Sequence, residues 1–242
     1  MLQALAVAAL LLPPPAAARP RVDFRSPARG YAQAAIDGRP IWVESELHEK
    51  DPALEKAALA RLAENLRLIE ESLPAAAAGA LKSLPVFLMY GPEASGGGKN
   101  SGAAYHRRSA PDRDPSLDPR WRDCIVVYSA RNYMQQDDLW AKKLLAHELA
   151  HAWHLTHFPE RQADLMAAYR GAMAKGLYDD VAYRDGSSRK GYAAQNHVEY
   201  FGELSAIYFV GGNYFPFDRA RLKEYDPEGY AVVEKLWGVQ PR

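Results

Sequence analysis

The 242-residue chain has only one cysteine, Cys124. A lone thiol forms no internal disulfide and excludes a cysteine-rich zinc module. Net charge is also missing, because 30 basic residues are balanced by 30 acidic ones. Without a basic excess, neither a nucleic-acid partner nor an anionic membrane surface is expected. Long apolar runs are scarce too. Leu2 to Leu12 is apolar but falls short of the roughly 20 residues that span a bilayer, so stable membrane insertion is not expected. That run does fit the apolar region of a secretory signal, with the small residues Ala16 to Ala18 as a cleavage site. No Lys or Arg precedes it, which departs from the usual pattern, and a disordered Ala/Pro leader is the alternative. Residues 1–18 are expected to be a signal peptide and 19–242 a single domain, placed in the periplasm or outside the cell.

What is present is enough apolar sequence, 48% of residues, to build a core without staples. "YAQAAIDGRPIWVES" reads as a hairpin turning at Asp37-Gly38. Asp51-Pro52 reads as a helix cap followed by proline in the first turn, and the helix keeps its period until Pro74. "PVFLMYG" and "CIVVYSA" read as strands and "AAYHRR" as a strand fragment, with Gly- and Pro-rich loops between them. Asp137 and Asp138 open a long helix, Glu160 to Lys175 forms another, and the second half of "KGYAAQNHVEYFGELSAIYFV" forms a third. Strands come early and helices late, so the expected class is α+β, a small sheet packed on a helix with a helical C-terminal half.

Four of the seven histidines fall between His147 and His157, in "HELAHAWHLTH". His147 and His151 are four apart, so on a helix they share one face about 6 Å apart along the axis and can bind one metal ion. Glu148 sits beside them, within reach of a water that such a metal activates. Composition alone yields this pentapeptide in on the order of one chain in a hundred, so a third ligand decides the matter. The bland alternative is an ordinary helix with half-buried histidines.

Two candidates compete for the third position. His157 has the spacing of the metzincin peptidases, but His154 stands where their helix-breaking glycine belongs. In an unbroken helix His157 would lie about 15 Å along the axis from His147. The other candidate is a carboxylate downstream. Glu199 and Glu203 share one face of the third helix among large apolar residues.

"HELAH" followed by "YAAQNHVEYFGE" resembles the catalytic core of the anthrax lethal factor-like zinc metallopeptidases. The similarity is firm from Leu144 to Phe209 and looser over "VVYSARNYM" and "PFDRARLKEYDPEGY". It implies a zincin-like fold and one zinc ion held by His147, His151 and Glu199. It also implies Glu148 as general base and Tyr192 as the tyrosine that assists the reacting carbonyl. Asn196 and Glu203 match further motif positions, expected to bond the outer nitrogens of the ligand histidines. The family usually has alanine where Gly202 stands, a small-for-small exchange. His154 and His157 match nothing in the pattern. The substrate implied is a peptide or protein, and the toxin's receptor-binding domain has no counterpart here. The Cys124 segment is a candidate edge for an extended peptide, or else a central buried strand. "SGGGKNSGAAYHRR" is a candidate lid or a plain connection, with Tyr105 and His106 more in keeping with structural roles. A catalytically silent, zinc-stabilised binding domain is the alternative of a different class.

Overall fold

The computed structural model describes residues 21–239. The signal-peptide expectation lies outside these residues. Among them, no helix is long and apolar enough to cross a membrane.

The hairpin forms as expected from β1 (Tyr31–Ile36) and β2 (Arg39–Glu44), paired antiparallel. Its turn places Asp37 at φ 47° and Gly38 at φ 85°, both in the left-handed region that a two-residue turn of this hand requires. A short α1 (Ser45–Lys50) leads into α2 (Pro52–Ser72), and the Asp51 side chain accepts the Leu54 N–H as the predicted cap. Then come α3 (Ala75–Leu81), β3 (Val86–Leu88), β4 (Ala103–His106), α4 (Ala110–Arg113) and β5 (Cys124–Val127).

The sheet is mixed, in the order β1-β2-β3-β5-β4. The β2–β3 and β3–β5 pairs are parallel, and the outer pairs are antiparallel. Strand residues alternate between two cores. Ile41, Val43, Val86, Leu88, Ile125 and Val127 face the larger core. Phe87, Cys124 and Val126 face a smaller one closed by Phe24, Leu117, Trp121 and Tyr128. Burial on both faces is why the inner strands read as unbroken apolar runs.

Of the two readings of the Cys124 segment, the central buried strand holds and the edge is corrected. β5 lies between β3 and β4, and the free edge on that side is β4, "AAYH". His106 is buried against Trp121, with its Nε2 2.9 Å from the Tyr128 hydroxyl, so it serves the smaller core.

The helical half follows with α5 (Ala130–Gln135), α6 (Asp138–His157) and α7 (Ala163–Ala174). A minor hairpin of β6 (Val181–Ala182) and β7 (Ser188–Arg189) leads to a 3-10 turn at Tyr192–Ala194. The chain then forms α8 (His197–Phe209), α9 (Arg219–Tyr225) and α10 (Pro227–Trp237). α10 clamps α6 and α8 together. Trp153 of α6 donates its indole N–H to the Leu236 carbonyl, and Trp237 donates to Ser205 of α8, both at 2.9 Å. Asp226, which caps α10, also accepts from Tyr178 and from Tyr200 of α8.

Candidate metal centre

Helix α6 starts because Asp137 accepts the Trp140 N–H at 2.8 Å, and it ends at His157, two residues before Pro159. Between these points nothing interrupts the backbone ladder, so His147 and His151 project from one face. Their rings stand 4.4 Å apart, nearly perpendicular.

Helix α8 brings Glu199 to them. Its Oε2 lies 2.9 Å from His147 Nε2 and 3.3 Å from His151 Nε2. The three donor atoms fall within 4.8 Å of one another. Zinc bonds of about 2.0–2.1 Å in a tetrahedron put donors roughly 3.4 Å apart, so the Glu199 oxygen needs to draw back from the two imidazoles by only a few tenths of an ångström to admit such an ion. Two imidazoles and a carboxylate are also a donor set that zinc accepts.

The electrostatics of the protein alone are those of a protonated cluster. Burial acts to lower the His147 pKa, but the Glu199 and Glu203 carboxylates outweigh it and hold the imidazole up at about 10. Burial acts to raise Glu199, and its two histidine partners bring it down to about 2. A metal ion bound there would take the place of that proton.

Gly202, one turn of α8 from Glu199, faces the rings of His147 and His151. A Cβ there would stand 2.8 Å from Cε1 of both His147 and His151. Glycine in mid-helix costs about 1 kcal/mol relative to alanine, a price set against the close approach it permits. An alanine at this position would therefore not be the minor exchange that it reads as in sequence.

Glu148 is buried beside the pair, and its Oε2 accepts the backbone N–H of Tyr105 on β4 at 2.7 Å. This fixes the carboxylate and leaves Oε1 for other work. Tyr192, on the 3-10 turn, is 46% exposed and lines the same cleft, its ring 5.9 Å from that of His147. Burial, then the neighbouring Glu199, Glu148 and Glu203, raise its pKa to about 12, so the hydroxyl keeps its proton. The cleft encloses about 550 Å³, and three carboxylates line it against Lys143 and Arg189.

The outer positions divide. Glu203 is 3% exposed, and its Oε1 lies 2.9 Å from His147 Nδ1, close but off the N–H direction. Asn196 does not reach the histidines. Its Oδ1 caps α8, accepting the N–H groups of Val198 and Glu199 at 2.8 and 2.9 Å. The expected role for Asn196 at a ligand nitrogen is corrected accordingly; it sets the start of the helix that carries Glu199. His151 Nδ1 is buried without an acceptor among the described residues.

The metzincin alternative is also corrected. α6 runs unbroken to His157, whose ring stacks on Trp153 at 4.0 Å, away from the donor cluster. His154 is fully buried against Phe201, and burial lowers its pKa to about 4, so it stays neutral.

Lys143 was not singled out by sequence. It is buried in the cleft and pairs with both oxygens of Glu203. The signal was its place four residues before His147, on the ligand face.

No family model, no curated protein and no solved structure matches this chain.

Proposed function

We propose that this protein is a zinc-dependent metallopeptidase with a zincin-like catalytic domain of the lethal factor-like kind. The observation that carries the proposal is the meeting of one Glu199 oxygen with both imidazole Nε2 atoms, from helices about 50 residues apart in sequence. His147, His151 and Glu199 would hold the ion. When bound, zinc supplies Lewis acidity and brings the pKa of water towards neutrality.

The chain's own groups supply the rest. Glu148, held by the Tyr105 N–H on one oxygen, is oriented to take a proton from water in the cleft with the other and to pass it to the leaving amine. Tyr192, protonated and accessible, is a donor for the developing negative charge on the reacting carbonyl. The free edge of β4 offers main-chain pairing to an extended peptide. Tyr128 donates its N–H to the Gly102 carbonyl, so by alternation Ala103 and Tyr105 point their backbone groups into the cleft; the Tyr105 N–H is held by Glu148, which leaves the Ala103 N–H and the two carbonyls for a peptide. A catalytically silent zinc module would need neither the open cleft nor Glu148 within it, since structural zinc sites are closed. Export to the periplasm or beyond is part of the proposal and rests on residues 1–18 alone.

Metal content tests the reading directly. The purified protein is expected to carry close to one zinc per chain, by inductively coupled plasma mass spectrometry. Hydrolysis of a mixed peptide library should stop on chelation with 1,10-phenanthroline and return with added zinc. A protein that binds no zinc, or cleaves equally well without it, ends the proposal.

Gly202→Ala probes the packing of the ligand rings. The new methyl gains helix propensity of about 1 kcal/mol, so global stability should hold. It must displace both rings, and zinc affinity is expected to fall by roughly tenfold, as for other changes in ligand orientation. Competition with a chromophoric chelator measures this; unchanged affinity would mean that the rings give way freely.

A further inference from the structure

Lys143 stands one helical turn before His147 on the same face of α6. Its ammonium reaches the two oxygens of Glu203 at 2.8 and 2.7 Å. Glu203 in turn touches His147 at Nδ1, the ring nitrogen opposite the one that meets Glu199. Lysine, glutamate and imidazole thus form a buried line that ends on the metal ligand. Stability does not account for it. Taking both charges out of water costs about as much as their attraction returns, and an apolar pair of similar volume often does as well or better.

We propose that Lys143 is a positioning residue: by engaging both oxygens of Glu203 it keeps that carboxylate against His147 Nδ1, and so keeps the His147 ring aimed at the metal position. The inference rests on the metal reading above. A carboxylate at position 203 without this partner would be free to turn towards the cleft and compete for the cation. Held in place, it draws the imidazole N–H to Nδ1 and leaves the Nε2 lone pair for the ion. Neither outer nitrogen makes a well-aligned hydrogen bond among the described residues, but His147 Nδ1 has a carboxylate oxygen 2.9 Å away and His151 Nδ1 has none in reach. His147 is the ring under control. The same cluster reaches the cleft tyrosine. Lys143 lies 5.3 Å from the centre of the Tyr214 ring, whose hydroxyl accepts the N–H of Ala193, the neighbour of Tyr192.

The test compares zinc affinity and the visible spectrum of the cobalt(II)-loaded protein for wild type and Lys143→Met. The folded variant is expected to bind zinc 10–100-fold more weakly, the range for loss of an outer partner. Its cobalt bands should shift, which a purely structural role would not produce. Lys143→Met leaves Glu203 buried and unpaired. If that variant does not fold, the double variant Lys143→Met/Glu203→Gln, which buries no charge, carries the test. It is expected to recover stability but to bind zinc at least about tenfold more weakly than wild type. Wild-type affinity with an unchanged cobalt spectrum in either folded variant overturns the proposal. A wild type that binds no zinc overturns the metal reading and this inference with it.

Discussion

Glu148→Gln is expected to retain zinc at the wild-type level and to lose turnover by about 10²–10⁴-fold, the range of general acid–base catalysis. Glutamine keeps the shape of the side chain, and its carbonyl can still accept the Tyr105 N–H that holds Oε2. What it cannot do is accept a proton from water at the other atom. The effect should therefore fall on kcat, with KM for a peptide substrate little changed. Steady-state kinetics beside a zinc assay separate this from loss of the metal. A rate within tenfold of wild type would remove Glu148 from the role of base.

Glu199→Gln addresses the centre itself. The carboxylate touches both imidazoles, and with Glu203 it holds His147 far above an ordinary histidine pKa. An amide is neutral and a poorer ligand for zinc. The loss of affinity should exceed the roughly 10–100-fold typical of an outer partner. His157→Ala is the companion measurement. That ring lies on Trp153, so its removal should leave zinc content unchanged. Equilibrium dialysis of both variants against buffered zinc gives the comparison. Zinc lost from the His157 variant and kept by the Glu199 variant would reverse the ligand assignment.

Much of the centre was legible because its rules are local. Spacing of four put His147 and His151 on one face, and caps at Asp51 and Asp137 marked where helices begin. Turn chemistry located the hairpin at Asp37-Gly38. The choice between His157 and Glu199 needed tertiary information, since it turns on whether α6 continues and on which helix packs against it. Strand order was left open. "CIVV" and "AAYH" lie side by side, and local pattern cannot say which of them has a further neighbour. Asn196 belonged to the motif, but its side chain is spent on the backbone of α8, a use that amide side chains share with hydroxyls at helix starts. Lys143 reads as a surface lysine beside Lys142 because a buried charge is recognisable only with its partner, and Glu203 lies 60 positions away. Gly202 was undervalued for a related reason. Its importance is the space it leaves for rings on another helix.

The clamp made by α10 has a bearing on biogenesis. The ligand helices are tied to each other through Leu236 and Trp237, and α8 is anchored through Asp226. On the ribosome, HELAH leaves the exit tunnel long before these residues do, and a nascent polypeptide folds as its units are completed. The grip of α6 on α8 is thus completed only once Leu236 and Trp237 of α10, more than 80 residues beyond HELAH, have been made and have docked.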